Sequence, residues 1–182
     1  TLFLMLYVGA ELGVSTWSSE YMVTVLHGSP ALGAFMVSLF WTGLLAGRLI
    51  ISAAYHGQKQ ERIVLGLAAL ATCGLLVVLA SGSQGGAAAG IFLAGLGFSG
   101  IYPLAMAIVG ASFKSGMAIG TAATGGGIGS FSFPFLMAVM AERIGLRGGF
   151  WFYAALSACL AALALVIAVK RQEHLHAQAR PS

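Results

Sequence analysis

A single carboxylate lies in the middle of the first apolar stretch of the chain. Glu11 is flanked by hydrophobic and small residues within residues 2–14. An ionisable side chain at the centre of a membrane helix costs several kcal/mol unless it faces a partner or a watery cavity. Tyr7 and Ser15 lie one helical turn to either side of Glu11, and Ser18 continues the same face. This polar stripe predicts a site for a small polar ligand or a proton. The competing hypothesis is a carboxylate that only fixes helix packing.

Five aromatic side chains on the apolar stretches are further candidates for ligand binding. An aromatic ring can stack on the apolar face of a sugar, and an indole or phenol can also donate a hydrogen bond. Aromatic residues also collect at membrane interfaces, which is the competing explanation for those near helix ends. We predict that five aromatic residues join Tyr7, Glu11 and Ser15 in one site: Trp17, Tyr21, Trp41, Tyr102 and Phe131.

A cation directly follows a pair of glycines in the second apolar stretch. Gly43 and Gly47 are one helical turn apart and precede Arg48. Small residues at this spacing favour close contact between membrane helices. Arg48 can extend its side chain to the lipid headgroups, or it can pair with a neighbour and lock the cytoplasmic face. We predict the second, a gating role.

The remaining reactive residues form no recognisable metal or cofactor site. Cys73 and Cys159 lie within apolar stretches, where cysteine behaves as a small hydrophobic residue. The four histidines lie in predicted loops or in the C-terminal tail. The net charge of +4 comes from scattered basic residues, which is not typical of nucleic-acid binding. We therefore expect no metal, no cofactor and no nucleic-acid partner.

One short motif suggests proteolysis. Residues 97–100, Gly-Phe-Ser-Gly, match the Gly-x-Ser-Gly nucleophile motif of rhomboid intramembrane proteases. A serine nucleophile needs a base within hydrogen-bonding reach, and residues 101–169 contain no histidine. We predict that the chain is not an enzyme, and we keep proteolysis through Ser99 as a distant alternative.

The composition indicates that these residues lie on membrane-spanning helices. The 182 residues are 59% hydrophobic and only 8% charged, whereas soluble domains have about 25% charged residues. One crossing needs about 20 apolar residues. The sequence predicts an all-α membrane protein, a bundle over residues 1–169, with spans near 1–26, 30–54, 62–81, 87–110, 116–141 and 149–169. Pro103 and Pro134 should bend the fourth and fifth spans. Trp151 and Tyr153 should anchor the sixth at the outer interface.

The distribution of basic residues predicts the orientation. With a cytoplasmic N-terminus, the inner segments contain seven basic residues and the outer loops contain only Arg143 and Arg147. Both ends of the segment are then cytoplasmic, and residues 170–182 form a disordered tail. A shift of about 87 residues superposes the hydropathy of residues 1–81 on that of 87–169, which predicts two inverted three-helix repeats. Because it starts with Thr1 inside an apolar stretch, the chain is interpreted as a fragment.

Three sequence phrases together resemble the major facilitator superfamily. They are Tyr7-Val-Gly-Ala-Glu11 with Trp17 and Tyr21, residues 40–48 (Phe-Trp-Thr-Gly leading to Gly-Arg), and residues 97–103 ending in Tyr-Pro. The whole chain is similar to the C-terminal six-helix half of such transporters, and the phrases are most similar to the branch of fucose and hexose proton symporters.

The resemblance implies a twelve-helix protein whose two halves rock about a central site. In this half, spans one and four would line the central cavity together with parts of spans two and five. Spans three and six would face lipid. The implied function is secondary active transport of a small polar solute such as a sugar, coupled to an ion such as H⁺, in the inner (plasma) membrane. The implied partners are the solute, the bilayer and an N-terminal six-helix half. The alternative is efflux of drugs or metabolites.

Two other membrane classes are weighed against the transporter hypothesis. An aquaporin-like channel has six spans as well, but its Asn-Pro-Ala motifs are impossible in a chain without Asn. The second alternative is that the six spans dimerise and act without another half.

Overall fold

The helices follow one another with short connections. The computed structural model describes residues 1–55 and 60–178, with side chains as far as residue 171. The helices in chain order are α1 (Leu2–Glu20), a short π-helix (Tyr21–Val25), α2 (Pro30–Ala54), α3 (Gln60–Ala80), α4 (Gln84–Phe98), α5 (Ile101–Phe113) and α6 (Gly116–Gln178). Within the described residues all regular elements are helical, which confirms the predicted all-α class.

Helix α6 consists of two helical arms. Gly145 lies inside it with φ of 77° and ψ of 161°, a conformation that is outside the helical region and that glycine adopts without steric cost. We call the arms α6N (residues 116–144) and α6C (residues 146–178). They correspond to the predicted fifth and sixth spans.

The predicted fourth span is also interrupted. It contains α4 and α5, which are separated by Ser99 and Gly100, one turn before Pro103. With α1 and the π-helix as the first span, the described residues form six helical segments. Among these residues, four stretches are long and apolar enough to cross a membrane, and the 56-residue one is long enough for two crossings: Pro30–Ala54, Gln60–Ala80, Gln84–Phe113 and Gly116–Arg171. Helix α1 is not among them, and it contains the polar stripe around Glu11.

Polar side chains cap two of these helices. The Ser29 hydroxyl accepts a hydrogen bond of 3.3 Å from the Leu32 N–H, and Pro30 occupies the first helical position of α2. Ser83 caps α4 in the same way through the Gly86 N–H at 3.2 Å.

The C-terminal end of α6C differs from the sequence prediction. Helix α6 extends to Gln178, so most of the segment expected to be a disordered tail is helical. Arg171 on this extension forms an ion pair with Glu61 at the start of α3. Lys59, His56 and Arg180 lie outside the described residues, as do the side chains of both tail histidines.

Glycines allow α4 to pack closely on two neighbours. A Cβ atom at Gly43 would collide with the carbonyl oxygen of Phe92, and one at Gly95 with that of Phe40, so α2 and α4 meet backbone to backbone. On the other side of α4, Gly90 lies against the α3 backbone. Such contacts provide van der Waals packing between helices in lipid, where no hydrophobic driving force brings helices together.

The same kind of crossing occurs between α1 and α6N. A Cβ atom at Gly129 would collide with the carbonyl oxygen of Met5. The shift of about 87 residues that relates the two hydropathy repeats carries Met5 onto Phe92 and Gly43 to within one residue of Gly129. The α2–α4 and α6N–α1 contacts therefore occupy equivalent positions in the two halves of the chain.

Candidate functional site

Glu11 is buried at the centre of the bundle. Only 7% of its surface is exposed, and the Tyr7 side chain one turn earlier is fully buried. The two side chains interact with each other, and both lie within electrostatic range of Arg48 on α2. A phenol and a carboxyl group on α1 are thus buried together, and an exposed guanidinium on α2 acts on both electrostatically.

The Tyr7 hydroxyl reaches from α1 to the interruption between α4 and α5. It donates a hydrogen bond of 3.0 Å to the Phe98 carbonyl oxygen. The Tyr7 ring also packs between the two aromatic side chains, with ring centroids 6.0 Å from Phe98 and 6.2 Å from Tyr102. Tyr102 is therefore beside Tyr7, as the predicted ligand site requires.

Arg48 on α2 also contacts the interruption between α4 and α5. Its Nε donates a hydrogen bond of 3.2 Å to the Ser99 carbonyl oxygen. Gly47 makes this approach possible, because a Cβ atom there would collide with the Ser99 side chain. The guanidinium thus has a main-chain partner on a neighbouring segment, and its gating role stays a prediction.

Trp17 on α1 and Tyr21 on the π-helix both contact α6. The Trp17 indole Nε1 donates to the Pro134 carbonyl oxygen at 3.3 Å, so this donor is already used within the bundle. Tyr21 is buried, with its ring centroid 4.4 Å from that of Phe150, and its hydroxyl has no hydrogen-bond partner among the described residues. Neither residue is brought together with Glu11 by a described contact.

The other predicted site residues are in different environments. Ser15 is buried, and its carbonyl oxygen accepts a hydrogen bond of 3.0 Å from the Ser18 hydroxyl. Trp41 on α2 is 42% exposed and Phe131 on α6N is 83% exposed, so both lie on outer faces of this bundle. Tyr7 thus links Glu11 with Tyr102, and Arg48 acts on Tyr7 and Glu11 electrostatically. Ser15 is one turn along α1 from Glu11, whereas Trp41 and Phe131 lie on other faces of the bundle.

The sequence did not predict the contacts of the Ser99 carbonyl oxygen or of the Tyr153 side chain. The Ser99 carbonyl oxygen is the acceptor for Arg48, and only the nearby Pro103 could have indicated a free carbonyl at this position. Tyr153 was expected at the membrane interface with Trp151, which is 55% exposed, but Tyr153 is fully buried. Its hydroxyl lies against Gly13 and donates to the Phe133 carbonyl oxygen at 3.4 Å.

The environment of Ser99 argues against proteolysis. The side chain is fully buried, and its hydroxyl donates to the Leu96 carbonyl oxygen at 2.7 Å. His27 precedes α2, whereas Ser99 packs against Gly47 in the second half of that helix. Neither a metal-binding group of three or more residues nor a disulfide is found in the described part of the chain, and both cysteines are exposed thiols.

Comparison with known proteins gives one family and one relative. The family described as Major Facilitator Superfamily matches residues 1–181. A match to the Saccharomyces cerevisiae protein called Bypass of stop codon protein 6 has 33% identity over 51 residues. These residues are 28% of this chain and 10% of the yeast protein, so the match spans a small part of that relative.

Proposed function

The chain belongs to the Major Facilitator Superfamily of membrane transporters, and we propose that it binds a small polar solute at Glu11 as half of an alternating-access transporter. The buried pair of Glu11 and Tyr7, with the Arg48 guanidinium within electrostatic range, is the observation that carries this proposal. A carboxylate in the membrane interior is costly, and such residues mark substrate and ion pathways.

The chemistry of the group indicates which solutes suit it. The Glu11 carboxylate accepts hydrogen bonds, the Tyr7 hydroxyl both donates and accepts, and the Tyr102 ring offers an apolar face next to them. A molecule with several hydroxyl groups can donate to Glu11 while it stacks on an aromatic ring. We therefore favour a polyol or a sugar as the solute class.

The outer faces of α2 and α6N support a second half of the protein. Large apolar and aromatic side chains are exposed on these two helices, among them Phe35, Trp41 and Leu45 on α2 and Ile128, Phe131 and Phe135 on α6N. In the proposed assembly an N-terminal six-helix half covers part of these faces, and Trp41 and Phe131 lie where the two halves enclose the solute. The bilayer covers the other apolar faces.

Ion coupling is part of the proposal. Glu11 can carry a proton as well as bind a solute, and H⁺ is the coupling ion that a single buried carboxyl group suits best. We place the chain in the inner (plasma) membrane. The helix ends that carry most of the basic residues face the cytoplasm in this proposal.

Efflux of an amphipathic drug or metabolite is the second candidate. It is favoured by the exposed rings of Trp41 and Phe131, which suit a flat apolar molecule better than a polyol. The two candidates differ in the solutes that should bind.

A binding screen on the full-length transporter in detergent tests the proposal. Sugars and polyols are compared with amphipathic cations by the rise in unfolding temperature that each produces, in the wild type and in Glu11→Gln. A polyol that stabilises only the wild type supports the proposal. Equal stabilisation of both proteins by every binding solute would overturn the role of Glu11, and stabilisation by amphipathic cations alone would favour efflux.

A further inference from the structure

The interruption between α4 and α5 leaves main-chain groups without their usual helical partners. In an unbroken helix the N–H of each residue binds the carbonyl oxygen four residues earlier. Pro103 has no N–H, so the Ser99 carbonyl oxygen has no donor at that position. Here the Ser99 N–H binds the carbonyl oxygen of Leu96, only three residues earlier, at 3.3 Å. The usual four-residue spacing resumes with the bond from the Leu104 N–H to the Gly100 carbonyl oxygen at 3.1 Å.

Side chains from two other helices bind at these positions. Arg48 on α2 donates to the Ser99 carbonyl oxygen at 3.2 Å. Tyr7 on α1 donates to the Phe98 carbonyl oxygen at 3.0 Å. In a regular helix the Tyr102 N–H would bind this carbonyl oxygen, so the Tyr7 hydroxyl occupies the acceptor of a main-chain bond at the interruption.

The packing of α2 is adapted to this arrangement. Gly47 lies against the Ser99 side chain, and a Cβ atom at Gly100 would collide with Ile51 on α2. The two glycines bring the backbones of α2 and the interruption together. Arg48 is thereby held within hydrogen-bonding reach of a carbonyl group that a proline has freed.

We propose that Tyr7 and Arg48 are positioning residues that hold the interruption of span four in place, one on each of two adjacent carbonyl groups. The interruption directly precedes Tyr102, whose ring centroid lies 6.2 Å from that of Tyr7, so the same two side chains arrange the solute site. This second step rests on the proposed transport function, whereas the hydrogen-bonded clamp does not.

A double-mutant cycle between Arg48 and Pro103 tests the clamp on the chain itself. Arg48→Met removes the donor and keeps a long side chain, and Pro103→Ala restores a main-chain N–H to the Ser99 carbonyl oxygen. The unfolding temperature of all four proteins is measured in detergent. Arg48→Met should lower it by about 2–8 °C in the Pro103 background and by clearly less in the Pro103→Ala background. Equal losses in both backgrounds would overturn the clamp.

Arg147→Met is the matched control. Arg147 also donates to a helical carbonyl group, that of Leu79 at 2.8 Å, but this contact involves no proline. Its effect on the unfolding temperature should therefore be the same in the Pro103 background and in the Pro103→Ala background. If Pro103→Ala rescued Arg147→Met as well, the rescue would be a general stabilisation, and the clamp would be refuted.

Two further measurements test the inference, and the first, hydrogen exchange, needs no change at Pro103 if Pro103→Ala folds poorly. Hydrogen exchange of the amides in residues 98–106 should be faster in Arg48→Met and in Tyr7→Phe, and unchanged exchange in both would overturn the clamp. In the full-length transporter, the stable Arg48→Met/Pro103→Ala protein should still transport slowly, because its span four has lost the side-chain clamp. Wild-type transport by this protein would overturn the positioning role and leave the solute site at Glu11 intact.

Discussion

The Arg48 guanidinium donates its Nε–H to the Ser99 carbonyl oxygen, 3.2 Å away across the contact between α2 and the α4–α5 interruption. Tyr7 donates to the adjacent Phe98 carbonyl oxygen at 3.0 Å and interacts with Glu11 one turn further along α1. These contacts connect a buried carboxyl group, through one tyrosine, to the interruption between α4 and α5. A change at Glu11 can therefore reach span four through Tyr7.

Glu11→Gln should weaken solute binding by at least about tenfold, which corresponds to about 1.4 kcal/mol. The amide keeps the size of the side chain but accepts weaker hydrogen bonds than a carboxylate does. Affinity is measured by titration calorimetry on the full-length transporter. Glu20→Gln is the matched control, because Glu20 lies on the same helix but is exposed. Loss of binding in the Glu20 variant alone would contradict the assignment.

Tyr7→Phe should lower the stability of the chain by about 1–3 kcal/mol, since it leaves the Phe98 carbonyl oxygen without this buried donor. The ring stays in place against Phe98 and Tyr102, so packing changes little. Thermal unfolding in detergent gives the comparison. Tyr55→Phe provides the control, because the Tyr55 hydroxyl accepts a hydrogen bond from Gln60 in a part-buried position at the end of α2. A larger loss for Tyr55→Phe would show that the Tyr7 bond contributes little.

The sequence predicted the helices better than the contacts among them. Six helical segments and an interruption of span four just before Pro103 follow from apolar length and from the missing N–H of proline, which are local properties. The partner of Arg48 is a main-chain carbonyl group, which every residue type carries, so the sequence does not reveal it. Tyr153 was assigned to the interface because aromatic residues collect there, and the sequence does not show which face of a membrane helix contacts protein.

Gly43→Ala and Gly129→Ala should both destabilise the bundle, because each added methyl group would collide with a backbone carbonyl oxygen of the neighbouring helix. Overpacking of this kind costs about 1–3 kcal/mol. Gly66→Ala on α3 and Gly127→Ala on α6N are matched controls, since a Cβ atom at either position meets nothing within 4 Å. The controls should be neutral or stabilising, because alanine favours helices over glycine by about 1 kcal/mol.

Unfolding temperatures of the four glycine variants separate steric from intrinsic effects. If Gly43→Ala and Gly129→Ala lose similar amounts of stability, the α2–α4 and α6N–α1 crossings are equivalent in energy as well as in position. A stable Gly129→Ala beside an unstable Gly43→Ala would show that only the first crossing depends on close backbone contact.

Phe135→Glu should weaken the association of the two proposed halves. Phe135 is 69% exposed on α6N, and a carboxylate there would be buried without a partner once a second half covers this face. Leu165→Glu on α6C is the control, because Leu165 is 50% exposed on a helix that the proposal places against lipid. The two halves are expressed as separate chains, and the amount of N-terminal half that copurifies with each variant is measured at equal expression. A carboxylate facing lipid is also costly, so both variants can insert into the membrane less well than the wild type. The amount of N-terminal half is therefore divided by the amount of inserted variant. This ratio should fall only for Phe135→Glu, and an equal fall for Leu165→Glu would contradict the proposed interface.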